Sequence, residues 1–330
     1  MVTAVDNCIL KPSETYNPRF IVYQLSSASY LEYMEYISRG GTRSRISRLM
    51  LGDIRFVVPI KKEQDQIAIF LDRKTLLIDR LIEKKQKLIE LLKEQRTAII
   101  NQAVTKGLDP NVKMKDSGIE WLGEVPSKWE IRKVSRSFHI IGSGTTPSSD
   151  NINFYNEGTI PWIVTGDLND GILISTSKKL TQSALNIYST LRMYPKGTLI
   201  IALYGATIGK LSILDIDACT NQACCALNKS PYFEIKYIFY WFLVNRQNII
   251  SLAYGGGQPN ISQDLIKSLK IICPPIKEQR LIIEYLNSKT KIIDNQLEKT
   301  KKSIEFLKDY RTTLISEVVT GKVDVRGIPN

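Results

Sequence analysis

The sequence predicts a mixed α/β globular domain joined to two long α-helices that form an antiparallel coiled coil, the whole built as an internal tandem repeat. Three observations lead there. The stretch Pro59–Asp109 recurs 215 positions later as Pro274–Asp324, without a gap and with roughly 23 identities, far beyond chance. Lys61–Lys106 and Ile276–Thr320 contain neither glycine nor proline, and each is preceded by proline and followed by glycine, the usual punctuation of a helix. Between Trp121 and Ile272 the pattern changes to short β-rich runs broken by glycine, asparagine and aspartate.

The repeat extends upstream of the helices. "GGTRSRIS" at Gly40–Ser47 falls on "GGGQPNIS" at Gly255–Ser262 in the same register. After a two-residue gap, "RFIVY" at Arg19–Tyr23 falls on "KYIFY" at Lys236–Tyr240, and Cys8 on Cys225. The duplicated unit is therefore a globular segment followed by a long helix. Its second copy runs from about Asp116 to Val325, whereas the first begins at the position matching about Ala218, so about a hundred residues have no counterpart. The expected division is a short segment over 1–57, a first helix over 58–110, a complete globular domain over 111–272, a second helix over 273–325 and a tail over 326–330.

Each helix of about 45 residues would be roughly 65–70 Å long. In the first, Ile67, Leu71, Ile78, Leu81, Leu88, Leu92 and Ile99 step by an average of 3.5 residues, as in a coiled-coil seam. In the second, Ile282, Leu286, Ile293, Leu307 and Leu314 hold matching places, while Gln296, Thr300 and Ser303 weaken the middle. Neither stripe is stable alone, and a duplicated sequence packs naturally about a two-fold axis, which makes the helices antiparallel. Such a rod can act as a ruler between recognition modules. A plain helical dimerisation arm fits the same periodicity.

A formal charge of +12 points to a polyanionic partner, because lysine and arginine on phosphates release counterions. The charge is spread along the chain with no basic tail, so a solubilising surface is the competing account. No cationic leader precedes an apolar run at Met1, and the most apolar stretch, Tyr237–Val244, is too short to span a bilayer. A cytoplasmic location without membrane contact is expected. The five cysteines form no CxxC pair, and the one histidine, His139, sits in the apolar run "FHII". These are expected to be buried thiols and a satisfied core or interface histidine rather than a zinc site or a catalytic base. "GATIGKLS" at Gly205–Ser212 is one residue short of a phosphate-binding loop and carries Leu211 where a magnesium-binding hydroxyl would stand. "NPRF" at Asn17–Phe20 lacks the second proline of the amino-methyltransferase motif. No catalytic constellation emerges.

Four polar, glycine-bearing loops stand out at Gly142–Ser149, Thr165–Gly171, Tyr204–Lys210 and Gly255–Gln263. Loops of this kind offer backbone donors and small hydroxyl or amide groups to phosphates and base edges, although turn chemistry explains the glycines equally well.

An ordered set of motifs resembles one family, the specificity subunit of type I restriction-modification systems. It comprises "DSGIEWLGEVPSKWEI" at Asp116–Ile131, "GSGTTPS", "IPWIVTGDL", "LIIALYGATIGKLSIL", "NQACCAL", "GGGQPNIS" and "PPIKEQRLIIEYL", and it covers essentially the whole chain. The resemblance implies two target-recognition domains that each read half of a split site in double-stranded DNA, spaced by two helices that also dock methyltransferase subunits. Restriction subunits join the complex. The resemblance also implies that this chain catalyses nothing and holds no cofactor, while S-adenosylmethionine, ATP and magnesium would be used by partner subunits. One departure is serious, because residues 1–57 match only the last third or so of a recognition domain, which puts bipartite reading in doubt. Apolar surface left uncovered there would favour self-association. A shortened chain that binds methyltransferase subunits without specific DNA recognition is the alternative. For base contacts the loops nominate Ser143, Thr145, Thr146, Asn169, Tyr204, Gln258 and Asn260, and for phosphates Lys178, Lys179, Arg192, Lys196 and Lys210.

Overall fold

The structure, a computed structural model, describes residues 9–38, 46–55, 57–253 and 260–327. Three short helices open the chain, α1 (Pro18–Leu25), α2 (Ala28–Ile37) and α3 (Arg48–Gly52), and lead into the long α4 (Lys61–Lys106). The strands β1 (Met114–Asp116), β2 (Glu124–Pro126), β3 (Glu130–Lys133), β4 (Ile140–Gly142), β5 (Ile160–Ile163), β6 (Gly171–Leu173) and β7 (Lys178–Leu180) follow. Next come α5 (Gln182–Ile187), β8 (Leu199–Ala202), β9 (Leu211–Leu214), β10 (Cys219–Thr220), β11 (Cys224–Asn228), α6 (Ile235–Ser251), α7 (Gln263–Ser268), β12 (Lys270–Cys273) and the long α8 (Ile276–Val319). The chain divides into two compact units, one of residues 1–93 with 294–330 and one of residues 94–293.

In the second unit a five-stranded sheet in the order β4-β11-β8-β9-β6 forms the centre. Strands β8 and β11 read "LIIA" and "CCALN" and are buried on both faces, which is why they are apolar runs rather than alternating ones. One face packs on α6, whose first turns are apolar nearly all round and whose Tyr237, Ile238 and Trp241 are buried in the main cluster. That cluster also takes in Ile100, Ala103 and Val104 from the end of α4, and Ile282 and Leu286 from the start of α8. The other face carries Ile200, Ala202, Cys224 and Ala226. A three-stranded sheet, β10-β5-β7, has its own small core around Phe154, Trp162 and Leu180. The pairing of β12 with β3 brings the beginning of the domain beside the chain that enters α8.

In the first unit Phe20 of α1 packs on Ile67, Leu71 and Ile78 of α4 together with Leu314, Ile315, Val318 and Val319 of α8. The two helix segments run antiparallel. Asp79 pairs with Arg311 at 2.9 Å, while Glu63, earlier on α4, meets Arg326, beyond the end of α8, at 3.2 Å.

The duplication holds at the level of single hydrogen bonds. Gln64 and Gln279, both buried, stand 215 positions apart near the starts of the two long helices. The Gln64 amide donates to Pro59 O at 2.8 Å and Thr15 O at 3.3 Å and accepts from Asn17 N–H at 2.8 Å. Gln279 donates to Pro274 O and Tyr232 O, both at 2.8 Å, and accepts from Glu234 N–H at 2.9 Å. Ser47 and Ser262 cap α3 and α7 in the same way, accepting from Met50 N–H at 3.1 Å and Leu265 N–H at 2.9 Å.

Of the residues nominated for the seam, Ile67, Leu71, Ile78, Leu92, Ile282, Leu286, Ile293 and Leu314 are buried, Ile282 and Leu286 in the core of the globular domain, and Leu307 is half-buried. Leu81 and Leu88 correct it, since both are 43% exposed. Their neighbours Ile82 and Ile89 turn inward instead, and at the end of the helix Ile100 is buried while Ile99 lies on the flank. After Ile78 the stripe steps by four residues rather than three, a choice that adjacent apolar residues leave open. The second copy carries the missing signal. Gln296 and Ser303 stand at the positions of Leu81 and Leu88, whereas Leu297 and Ile304 stand at those of Ile82 and Ile89. Thr300, read as a weakness of the seam, is buried and bonds Gln296 O at 2.7 Å, so its hydroxyl is satisfied within its own helix.

Leu92→Glu should therefore cost roughly 3 kcal/mol or more by burying an unpaired charge. Leu88→Glu should stay within about 0.5 kcal/mol of the parent. Denaturant unfolding of both variants checks this, and equal losses would mean that the stripe is misplaced.

Candidate nucleic-acid interface

The registers of the central sheet gather the candidate loops. Strand β8 runs antiparallel to β9 and to β11, with Ile201 opposite Leu211 and Cys224 opposite Ala202. Strand β4 is antiparallel to β11, with Gly142 opposite Ala226, and β6 is parallel to β9, with Gly171 opposite Ser212. The exits of β4 and β8 and the entries of β6, β9 and β11 consequently share one edge. Ile261 N–H donates to Leu203 O at 2.8 Å and brings Asn260 to the same edge.

The Gly142–Ser149 loop is held firmly. Gly144 N–H donates to Thr220 Oγ1 at 3.0 Å, and a Cβ on Gly144 would lie 1.7 Å from Thr220 O, so no side chain fits there. Thr145 O accepts from the Trp162 indole at 3.3 Å, and Pro147 O from the Tyr155 hydroxyl at 2.6 Å. Ser143 donates to Gln263 Oε1 at 3.3 Å and Thr146 to Gln222 Oε1 at 2.6 Å. Two glutamine amides that the loop pattern did not nominate, Gln222 and Gln263, thus stand among the candidates. Gln222 is exposed and Gln263 half-buried.

Asn169 is exposed, yet its amide is tied into its own turn. Its Nδ2 donates to Ile172 O at 3.3 Å, and its Oδ1 accepts from Ser212 at 3.0 Å. Next to it Asp170 takes a positive φ of 59°, accepts from Leu211 N–H at 3.1 Å and forms an ion pair with Arg246 of α6. Arg246 also runs beneath Gly209, where a Cβ would lie 2.8 Å from Arg246 Cγ. One arginine on the core helix therefore fixes both the Asp170 and the Gly209 turns. Sequence reading passed over it, although an arginine inside the aromatic helix was a visible signal.

Lys210 and Tyr204 are half-buried on the β8–β9 loop, and Tyr204 packs against the main core. Lys178 and Lys179 are exposed on β7, opposite Trp162 and Pro161. None of these three lysines has an ion pair among the described residues. Two nominated residues are not brought to the loop edge. Lys196 lies at the opposite end of β8, where it pairs with Asp215 at 2.7 Å and its N–H donates to Asp217 at 2.7 Å. Arg192 is exposed on the segment that runs through the Tyr194↔Ala218 bridge toward Lys196. Gln258 lies outside the described residues, as does Cys8.

Burial pushes the thiols of Cys219 and Cys273 up to about 11 and that of Cys225 up to about 12, with Cys224 higher still. Of the two places expected for His139, core or interface, exposure excludes the core: it lies at the head of β4, where its backbone N–H donates to Lys229 O at 3.0 Å. Among the described residues no group of histidine, cysteine, aspartate and glutamate could hold a metal ion, and no helix is long and apolar enough to cross a membrane.

Comparison with known proteins agrees with this architecture. The family model of the type I restriction modification DNA specificity domain matches residues 2–91 and 126–305, and the chain belongs to that family of non-catalytic specificity subunits, whose systems place catalysis in other subunits. A provisionally named type I restriction enzyme specificity subunit, MjaX, of Methanocaldococcus jannaschii is 25% identical over 96% of this chain and 71% of its own length. The MjaVIII specificity subunit of the same organism is 26% identical over 88% of this chain and 67% of its own. Among solved structures, one described as the basis of complex assembly and conformational transition of the type I R-M system matches with a TM-score of 0.71 at 14% identity, over 94% of this chain and 73% of that one. The HsdS subunit from Thermoanaerobacter tengcongensis gives 0.58 at 15% identity, over 94% and 72%. These likenesses show the fold.

Two outcomes follow for the edge and its core. Gly144→Ala should destabilise the second unit by about 1–3 kcal/mol through overpacking against Thr220. Gly166→Ala, which meets open space, should be neutral in the same unfolding measurement. In a Cys8→Ser chain the remaining thiols should resist a thiol reagent at pH 8 until denaturant unfolds the domain; rapid labelling of the folded chain would contradict their burial.

Proposed function

We propose that the loop edge of the central sheet reads a half-site in double-stranded DNA, and that the chain serves as the sequence-recognition subunit of a cytoplasmic type I restriction-modification complex. The observation that supports this best is the convergence of five separate segments, one of them carrying Lys210, on one edge of the sheet; Lys178 and Lys179 are exposed on β7 of the three-stranded sheet. In this reading the lysines meet phosphates, which position the protein, and exposed hydroxyl and amide groups meet base edges. Gln222 and Asn260 are the best placed to discriminate, since glutamine and asparagine pair with adenine through two bonds in the major groove. Ser143, Thr145, Thr146 and Asn169 hold the loops as much as they present themselves. Residues 111–272 are the complete recognition domain, and residues 1–57 correspond to the last part of a second one.

Methyltransferase subunits would dock on the long helices, and restriction subunits would join the assembly. S-adenosylmethionine, ATP and magnesium would belong to those partners. Leu76, Leu77, Leu81, Leu88 and Leu91 support such docking, because they leave α4 with exposed apolar side chains outside its buried stripe.

Methylation mapping in cells that express this chain with its methyltransferase subunit should reveal a defined target sequence. On that target, Lys178→Ala and Lys210→Ala should weaken binding at every sequence and each lower the salt slope by about 1. Gln222→Ala or Asn260→Ala should relax the preference at one base pair by about 1–3 kcal/mol. Uniform binding without a methylated target, or lysine variants with an unchanged salt slope, would sink the proposal.

A further inference from the structure

Trp129 fills a notch in the second unit. Its indole N–H donates to Glu278 Oε2 at 2.9 Å, and its ring is buried in the cluster with Ala103, Val104 and Ile282. The chain makes room for it at Gly107, where a Cβ would lie 3.1 Å from the ring. The repeat puts Val318, Val319, Ile67 and Glu63 at the positions of Ala103, Val104, Ile282 and Glu278.

In the first unit those four residues line a cavity of about 220 Å³. Among the described residues no aromatic ring lines it. The Glu63 carboxylate is taken instead by the exposed guanidinium of Arg326, at 3.2 Å, which also holds Asp324 at 2.9 Å. Gly321, at a φ of +73°, lines the cavity, and a Cβ there would meet nothing within 4 Å. A second difference lies on α1. Val22 is 61% exposed, whereas Phe239, its counterpart after the two-residue gap, is 7% exposed.

We propose that the notch in the first unit is a socket for a tryptophan-bearing peptide segment of the same make as Val125–Trp129. An apolar residue and a proline would precede the tryptophan, whose ring would lie on Val318, Val319 and Ile67. Its indole N–H would be accepted by Glu63 once Arg326 releases the carboxylate. Ile67, Val318 and Val319 offer an apolar wall, Glu63, Gln66, Thr320, Asp324 and Arg326 line the rest, and the Glu63 carboxylate, at the position of Glu278, suits a neutral donor on an aromatic ring. A hydrogen bond to a charged acceptor is among the stronger ones, and tryptophan in a desolvated pocket is a common anchor of protein interfaces. The repeat and the cavity support this socket whether or not the loop edge reads DNA.

The test uses the intact chain and a fluorophore-labelled synthetic peptide spanning residues 113–131, followed by anisotropy. Saturable binding is expected. Trp129→Ala in the peptide should weaken it by about tenfold or more, and Glu63→Gln in the chain by about tenfold to a hundredfold. Arg326→Ala, a change at an exposed side chain, should tighten it severalfold by removing the competitor. Melting curves confirm that each variant is folded. Absence of saturable binding to both the parent chain and Arg326→Ala would overturn the proposal. So would binding that is indifferent to the peptide's tryptophan or to Glu63.

Discussion

Two buried glutamines, Gln64 and Gln279, bear the join between globular and helical structure. Each sits in the first turn of a long helix and each bonds, through both ends of one amide, the proline-bearing segment that enters the helix and the segment just before a packed helix. A buried amide leaves expensive unpaired groups if any partner moves. The clamp therefore fixes where the helix begins relative to α1 in one unit and α6 in the other. Everything downstream inherits that position. Phe20 or Tyr237 can meet the helix only because the clamp sets the approach, and Tyr23 and Tyr240 add the same bridge a little further along, to Asp72 at 2.9 Å and Asn287 at 3.1 Å.

The recognition domain is organised by a different principle. Its central strands β8 and β11 are buried on both faces, so the polar loops lie at the edge where strands enter and leave. There the side chains divide their labour. Gly144, Asp170 and Arg246 set the backbone, whereas Asn260 is exposed and Lys210 has no ion pair among the described residues. Loops that differ in sequence can be carried on such a frame without disturbing it, because the frame's bonds run largely through main-chain atoms and core residues.

Much of this was legible in the letters. The repeat, the punctuation of α4 and α8 and the antiparallel sense of their packing followed from spacing alone, and the motif series led to the family to which the chain belongs. The limits were physical. Where Leu81 adjoins Ile82 and Leu88 adjoins Ile89, a 3.5-residue period cannot choose between neighbours, and only the facing helix decides which is buried. Lys196 and Lys210 looked alike in the sequence, but strand direction sends them to opposite edges of one sheet, and Asp215 neutralises the first. Arg246 and Gln222 gained their places through contacts with residues 76 positions away in each case, a distance at which no local pattern speaks. The sequence by itself determined the periodic elements and their duplication, because these rest on local propensity and on a hydrophobic stripe. The tertiary structure alone decided which polar residues share an edge, because that depends on strand register and on which turns a half-buried arginine can reach.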